Sequence, residues 1–137
     1  MVILSVDYGD VRTGIAICDK LEMLASPLTV INEKYEPKLI TAIVDIVKTK
    51  KPELIVVGLP KNMDGSLGFR AEACTQFAEH LKEACCIETV MWDERLTSVI
   101  AHRHLQAAGK REKQHKNIID AAAAVEILQS FIDSRKR

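Results

Sequence analysis

The sequence predicts an α/β fold: one mixed five-stranded sheet, three antiparallel strands then two parallel ones, in the order βββαβαβαα with helices on both faces. Three observations predict it. The first part of the chain holds three short apolar segments joined by tight turns, a pattern that pairs as antiparallel hairpins. Two later apolar runs are each reached through a helical segment, and such crossovers return the chain in parallel. Finally, 137 residues of which 47% are apolar suffice for one core and are too few for two ordinary domains, so residues 1–137 are expected to form a single domain with a basic tail from about 134.

The elements follow in order. Residues 2–7 form an apolar, β-branched run that ends at Asp7 and meets a turn composition, Tyr8-Gly9-Asp10. Thr13 to Cys18 reads as the second strand and residues near 24–31 as the third. After Pro37, Leu39, Ile40, Ile43, Val44 and Val47 follow helical spacing, with lysines near the end where cations suit the helix dipole. Pro52 stops this helix. Glu53 to Gly58 is a continuous apolar run, expected of a strand covered on both faces. A loop from Leu59 to Gly68 contains Pro60 and Asp64-Gly65. A second helix follows, with Phe69, Ala73, Phe77 and Leu81 on one stripe, then a fifth strand over 87–92. Thr97 can cap a third helix over about 98–108, closed by Gly109. A basic loop over 110–116 precedes a last helix from about Asn117 to Asp133.

Charge balances over the whole chain, 19 basic against 19 acidic residues, but is unevenly spread. Residues 1–100 carry 11 Lys/Arg against 15 Asp/Glu, and residues 101–137 carry 8 against 4. A basic segment beside an acidic centre suits a polyanion brought to metal ions, and equally a solvated loop and tail. The four cysteines show no C-x-x-C spacing and read as reduced core thiols rather than zinc ligands. No apolar run approaches the roughly 18–20 residues that span a bilayer. The start reads as a buried strand rather than a leader, so a cytoplasmic protein without membrane association is expected.

Three places could carry chemistry. Asp7 interrupts an apolar strand, where a carboxylate is costly unless paired, hydrogen-bonded or metal-bound; the competing reading is a turn-forming Asp. Asp93 and Glu94 follow the fifth strand, and ligands gather at the carboxyl ends of parallel strands. Adjacent residues face opposite ways, so one of the two is expected on the Asp7 side, with Arg95 free to pair with the other. Asp120 precedes four consecutive alanines that let a helix approach the sheet closely; alternatively, with Asn117 as cap, it completes a capping box. Three carboxylates at one sheet edge form an oxygen-only set that favours Mg²⁺ or Mn²⁺, and two such ions can activate water and stabilise a leaving oxygen. Arg12, Thr13, Lys61, Arg70 and Arg95 are candidates to contact phosphate or nucleic acid, with the basic run Lys110, Arg111, Lys113 and Lys116.

Four motifs, in order along nearly the whole chain, resemble the YqgF family of bacterial proteins, also called RuvX. They are Asp7-Tyr8-Gly9-x-x-Arg12-Thr13-Gly14-Ile15-Ala16, Gly58-Leu59-Pro60 with Asp64-Gly65-Ser66 and Gly68, Asp93-Glu94-Arg95-Leu96-Thr97, and Asp120-Ala121-Ala122-Ala123 with Ile127-Leu128-Gln129. The resemblance implies an RNase H-like fold and a metal-dependent nuclease with Asp7, Glu94 and Asp120 at the family's acidic positions and Arg95 beside them. Two substrates are implied: the 5′ end of pre-16S rRNA during ribosome biogenesis, with ribosome association, or branched DNA cut by a Holliday junction resolvase, which calls for a homodimer rather than a monomer. The chain departs from the RuvC-type pattern in one respect. Its fourth strand ends in Gly58-Leu59-Pro60 with no acid, so the middle carboxylate must come from the fifth strand, farther from the first. Two other classes share the pattern: a nucleotide-binding fold of the actin and sugar-kinase type, which needs two such domains, and a non-catalytic RNA- or protein-binding module.

Overall fold

A computed structural model describes residues 1–97 and 113–136, with the side chains of the last helix described from Ala121 onward. The elements are β1 (Ile3–Asp7), β2 (Arg12–Cys18), β3 (Ala25–Asn32), α1 (Glu36–Lys50), β4 (Leu54–Leu59), α2 (Phe69–Cys85), β5 (Thr89–Asp93), a 3-10 turn at Glu94–Leu96, and α3 (Lys113–Ser134). The helix expected over 98–108 lies outside the described residues.

The sheet is five-stranded with order β3-β2-β1-β4-β5. β1 pairs antiparallel with β2, which pairs antiparallel with β3, while β4 runs parallel to both β1 and β5. This is the mixed topology the hairpins and crossovers predict. Helices cover both faces. On one, Leu4, Val6, Ile15, Ile55 and Val57 pack with Leu39, Ile43 and Val47 of α1 and Phe77, Ala78 and Leu81 of α2. On the other, Ile3, Ala16, Cys18, Leu54 and Val56 pack with Ala123, Ala124, Ile127, Leu128 and Ile132 of α3. β1 and β4 therefore bury alternate residues on both sides, which explains runs apolar at every position.

α3 lies close on β1. Ala121, Ala123 and Ala124 are buried, and Ser5 Oγ, itself fully buried, donates to the carbonyl of Ala124 at 2.7 Å. Near the helix's far end, Arg135 pairs with Glu22 at 2.7 Å, and Glu22 also holds the Met1 amino group at 2.9 Å. α3 thus runs antiparallel to β1, and the expected basic tail is ion-paired at Arg135. Gln129 joins α3 to the start of β3, accepting from Ala25 N at 2.9 Å. Trp92 Nε1 donates to Ser130 at 3.0 Å, fixing the end of β5.

Two expectations are corrected. Phe69 is not on the buried stripe of α2; it is 88% exposed, and the buried positions are Ala71, Cys74, Phe77, Ala78 and Leu81. Steps of four residues drift about 40° each around a helix, so three steps carry Phe69 roughly 120° from Leu81. The last helix starts at Lys113 rather than Asn117, because Lys113 to Lys116 are helix-compatible residues with no breaker among them. Asn117 is therefore no cap, the capping-box reading of Asp120 falls, and Lys113 and Lys116 belong to a helix rather than a loop. The cysteines are free thiols, and Cys18 and Cys74 are buried as expected; Cys85 is half-buried and Cys86, at the end of α2, is exposed rather than in the core.

α1 and α2 are joined at the surface by His80 Nδ1 and Glu36 Oε1, 2.5 Å apart. The hydrogen bond to Glu36 raises the His80 pKa above its ordinary 6.5. With the folded value above the unfolded one, the pair's stabilisation is fully present below about pH 6.5 and disappears as pH rises through the folded pKa. His80→Gln should flatten this part of the pH profile, and urea midpoints between pH 5 and 9 for both proteins check it.

Candidate active site

The site is built at the carboxyl ends of β1, β4 and β5, on the face covered by α3. Strand alternation fixes the face. Ile3 and Ser5 contact α3, so Asp7, two residues on, shares their side. β1 and β4 are in register to Val6 opposite Val57, which puts Gly58 level with Asp7. On the far side Gly58 is level with Trp92, and Leu59 with Asp93. Trp92 packs toward α3, so Asp93 faces the other way.

The structure separates the two neighbouring acids. Asp93 opens the 3-10 turn: Oδ1 accepts from Arg95 N at 2.9 Å, and Arg95 Nη2 donates to Oδ2 at 2.7 Å. The Arg95 hydrogen bond lowers the Asp93 pKa despite partial burial. Glu94 points inward and is 2% exposed. Its carboxylate lies against Gly58: a Cβ at that glycine would stand 2.9 Å from Glu94 Oε2 and 2.6 Å from Ile127 Cδ1. Thr97 closes the turn, its hydroxyl donating to the Glu94 carbonyl at 2.7 Å. Asp120 belongs to α3, one turn before Ala124; its side chain lies outside the described residues, as do Lys110, Arg111 and the side chains of Lys113 and Lys116.

The β1–β2 turn is held by side chains read from sequence as phosphate contacts. Thr13 is fully buried, and its hydroxyl accepts from Gly9 N at 3.3 Å. Arg70 reaches from α2 to the Tyr8 carbonyl and to Asp10 Oδ1, the latter at 2.9 Å. Its guanidinium lies over the Tyr8 ring, which stacks on Phe77 with centroids 4.1 Å apart. Burial is the main cause raising the Tyr8 pKa. Arg95 is likewise engaged, with Asp93 and the Met63 carbonyl, tying the 61–68 loop to the 3-10 turn. Arg12 is half-buried on β2, and Lys61 is half-buried near enough to Asp93 to lower its pKa. Sequence reasoning missed Ser5 and the part played by Gly58. A lone hydroxyl inside an apolar strand was the available signal for the first; the second needs the register.

Among the described residues no three His, Cys, Asp or Glu side chains form a metal-binding group, and the third carboxylate of the expected set is not among them. Asp7 and Glu94 share one face and one end of the sheet and offer oxygen donors alone. That donor chemistry, with the Glu94 carboxylate buried against Gly58 where β4 carries no side chain, fits a hard divalent cation.

The match to known proteins agrees with this geometry. A family model described as RuvX, Holliday junction resolvase, matches residues 1–134. The chain belongs to the RuvX family. A relative from Bacillus thuringiensis (strain Al Hakam) and one from Bacillus cereus (strain AH820), each named "Putative pre-16S rRNA nuclease", are 45% identical over 137 residues, covering 98% of this chain and all of theirs. Among solved structures, T. thermophilus RuvC in complex with Holliday junction substrate matches with TM-score 0.64 at 13% identity, covering 99% of this chain and 96% of that one. The fowlpox virus Holliday junction resolvase matches with TM-score 0.54 at 14% identity over 98% and 99%. At such identities the likeness establishes the fold, RuvC- and RNase H-like, as the RuvX motifs imply.

The turn beside Asp7 has little room. A Cβ on Gly9 would stand 2.0 Å from the Arg12 carbonyl oxygen, so Gly9→Ala must open the turn. A loss of about 1–3 kcal/mol is expected, read from denaturant unfolding of the two proteins.

Proposed function

We propose that this RuvX protein is a divalent-metal-dependent nuclease that hydrolyses phosphodiester bonds in structured RNA, with the 5′ side of pre-16S rRNA as its substrate. The observation that carries the reading is the buried Glu94 carboxylate, brought over Gly58 to the face and end of the sheet that hold Asp7. The name given to the 45%-identical relatives supports the choice of RNA.

Asp7 and Glu94 would hold Mg²⁺ or Mn²⁺, with Asp120 completing the set. The direction of α3 supports that third role, since the four residues back from Ala124 to Asp120 span about 6 Å and Asp7 lies about 6.6 Å beyond Ser5 along β1. Bound ions would supply water activation and neutralise charge on the leaving oxygen. Arg12, Lys61 and the basic run Lys110, Arg111, Lys113 and Lys116 would hold the sugar-phosphate backbone. Thr13, Arg70 and Arg95 would act one step back, by shaping the loops around the acids. We take residues 1–137 as one nuclease domain acting in the cytoplasm, near the ribosome that carries its substrate; among the described residues no helix is long and apolar enough to cross a membrane.

The family's description favours a second reading, resolution of branched DNA junctions by the same acids in a homodimer. Cleavage assays on a 5′-extended 16S rRNA fragment and a four-way DNA junction, each with Mg²⁺ or with EDTA, separate the two. RNA should be cut and the junction spared. Asp7→Asn should lower Mg²⁺-dependent cleavage by at least the roughly 10–100-fold that loss of a metal site's supporting partner costs, with an unchanged circular dichroism spectrum. Equal turnover by Asp7→Asn would overturn the assignment.

A further inference from the structure

We propose that Gly58 is a positioning residue for this site: the side chain missing from β4 makes the space through which Glu94 reaches toward Asp7. The proposal rests on the nuclease reading above and adds a determinant that is not itself an acid. Neighbouring strands lie about 4.8 Å apart, so β5 is roughly 9.6 Å from β1. A glutamate following β5 must cross the β4 strand to share an ion with Asp7. Any side chain at the level of Gly58 on the α3 face would stand in the way.

The distances show how closely that space is filled. A Cβ at position 58 would be 2.9 Å from Glu94 Oε2 and 3.2 Å from its Cδ. The carboxylate therefore lies where a β4 side chain would begin, one strand nearer Asp7 than the strand that supplies it. Ile127 fills the same space from α3, with Cδ1 at 2.6 Å. With Glu94 2% exposed, the carboxylate has little open volume into which to retreat. Backbone conformation does not explain the glycine, which lies within a strand and has no positive φ.

The two close contacts call for two substitutions. Gly58→Ala meets both Glu94 and Ile127, whereas Ile127→Val removes the Cδ1 atom and relieves the second contact alone. The test measures thermal melting, Mn²⁺ affinity by calorimetry, and single-turnover cleavage of the rRNA fragment. It compares wild type, Ile127→Val, Gly58→Ala/Ile127→Val, Glu94→Gln, and the triple variant that adds Glu94→Gln to the pair. The double variant should melt with Ile127→Val yet lose about 10–100-fold in Mn²⁺ affinity. Its cleavage should slow comparably without a matching rise in RNA KM. Adding Glu94→Gln should cost nothing more, because Gly58 acts through that carboxylate. A double variant that binds Mn²⁺ like Ile127→Val, or a triple variant whose losses multiply, overturns the proposal. A wild type that binds Mn²⁺ but leaves the RNA intact overturns the nuclease reading, while the affinity comparison still decides the role of Gly58. A wild type without Mn²⁺ affinity overturns both.

Discussion

The close seat of α3 on β1 is the contact on which the site depends. Three buried alanines bring the helix backbone down to the strand, and the Ser5 hydroxyl joins it to the Ala124 carbonyl at 2.7 Å. A larger residue in either place would lift the helix and break a hydrogen bond that has no water to replace it. Everything on that side of the sheet is set from this height. Ile127 reaches Gly58, Gln129 takes the start of β3, and Ser130 takes Trp92 at the end of β5. The residue that precedes the alanines, Asp120, rides on the same helix.

The other half of the arrangement is a division of labour between two adjacent acids. Asp93 is spent on structure, capping the 3-10 turn and fixing Arg95, which in turn holds the 61–68 loop. Because that turn is fixed, Glu94 projects to the opposite side and into the space above Gly58. A similar economy holds the β1–β2 turn. Gly9 clears the Arg12 carbonyl, Thr13 takes the Gly9 amide, and Arg70 clamps Tyr8 and Asp10. The cations and hydroxyls at this edge of the sheet thus hold its loops in place, as the proposed site needs for accurate placement of its ligands.

Much of this was legible in the residues. Element order and strand direction followed from run lengths and connections, since short turns force hairpins and helical links force parallel return; the spatial order of the strands came from the assembled sheet. Asp7 stood out as a carboxylate at the end of an apolar strand, although a turn-forming Asp read equally well until the other acids were placed beside it. The sequence also showed that only one of Asp93 and Glu94 could face Asp7, but not which. That needed the pairing of Gly58 with Trp92, a register that only the assembled sheet supplies. Phe69 was misplaced because a strict four-residue spacing drifts around a helix, and the start of α3 because Asn117 is as good a cap as any when nothing upstream forbids helix. Arg70 was read as a phosphate contact because its carboxylate partner, Asp10, is assigned by folding rather than by spacing, whereas the pairing of Arg95 with Asp93 is one of the two that the sequence allowed. Gly58 looked like a missing acid; in the fold it is room for one.

The central claim is that Asp7 and the displaced Glu94 share a divalent ion above Gly58. Anomalous diffraction from a crystal soaked in Mn²⁺ tests it most directly. The account predicts a Mn²⁺ peak bound directly by oxygens of both carboxylates, on the α3 face at the ends of β1 and β4. Ions bound only elsewhere on the molecule, with Asp7 and Glu94 left uncoordinated, would contradict it.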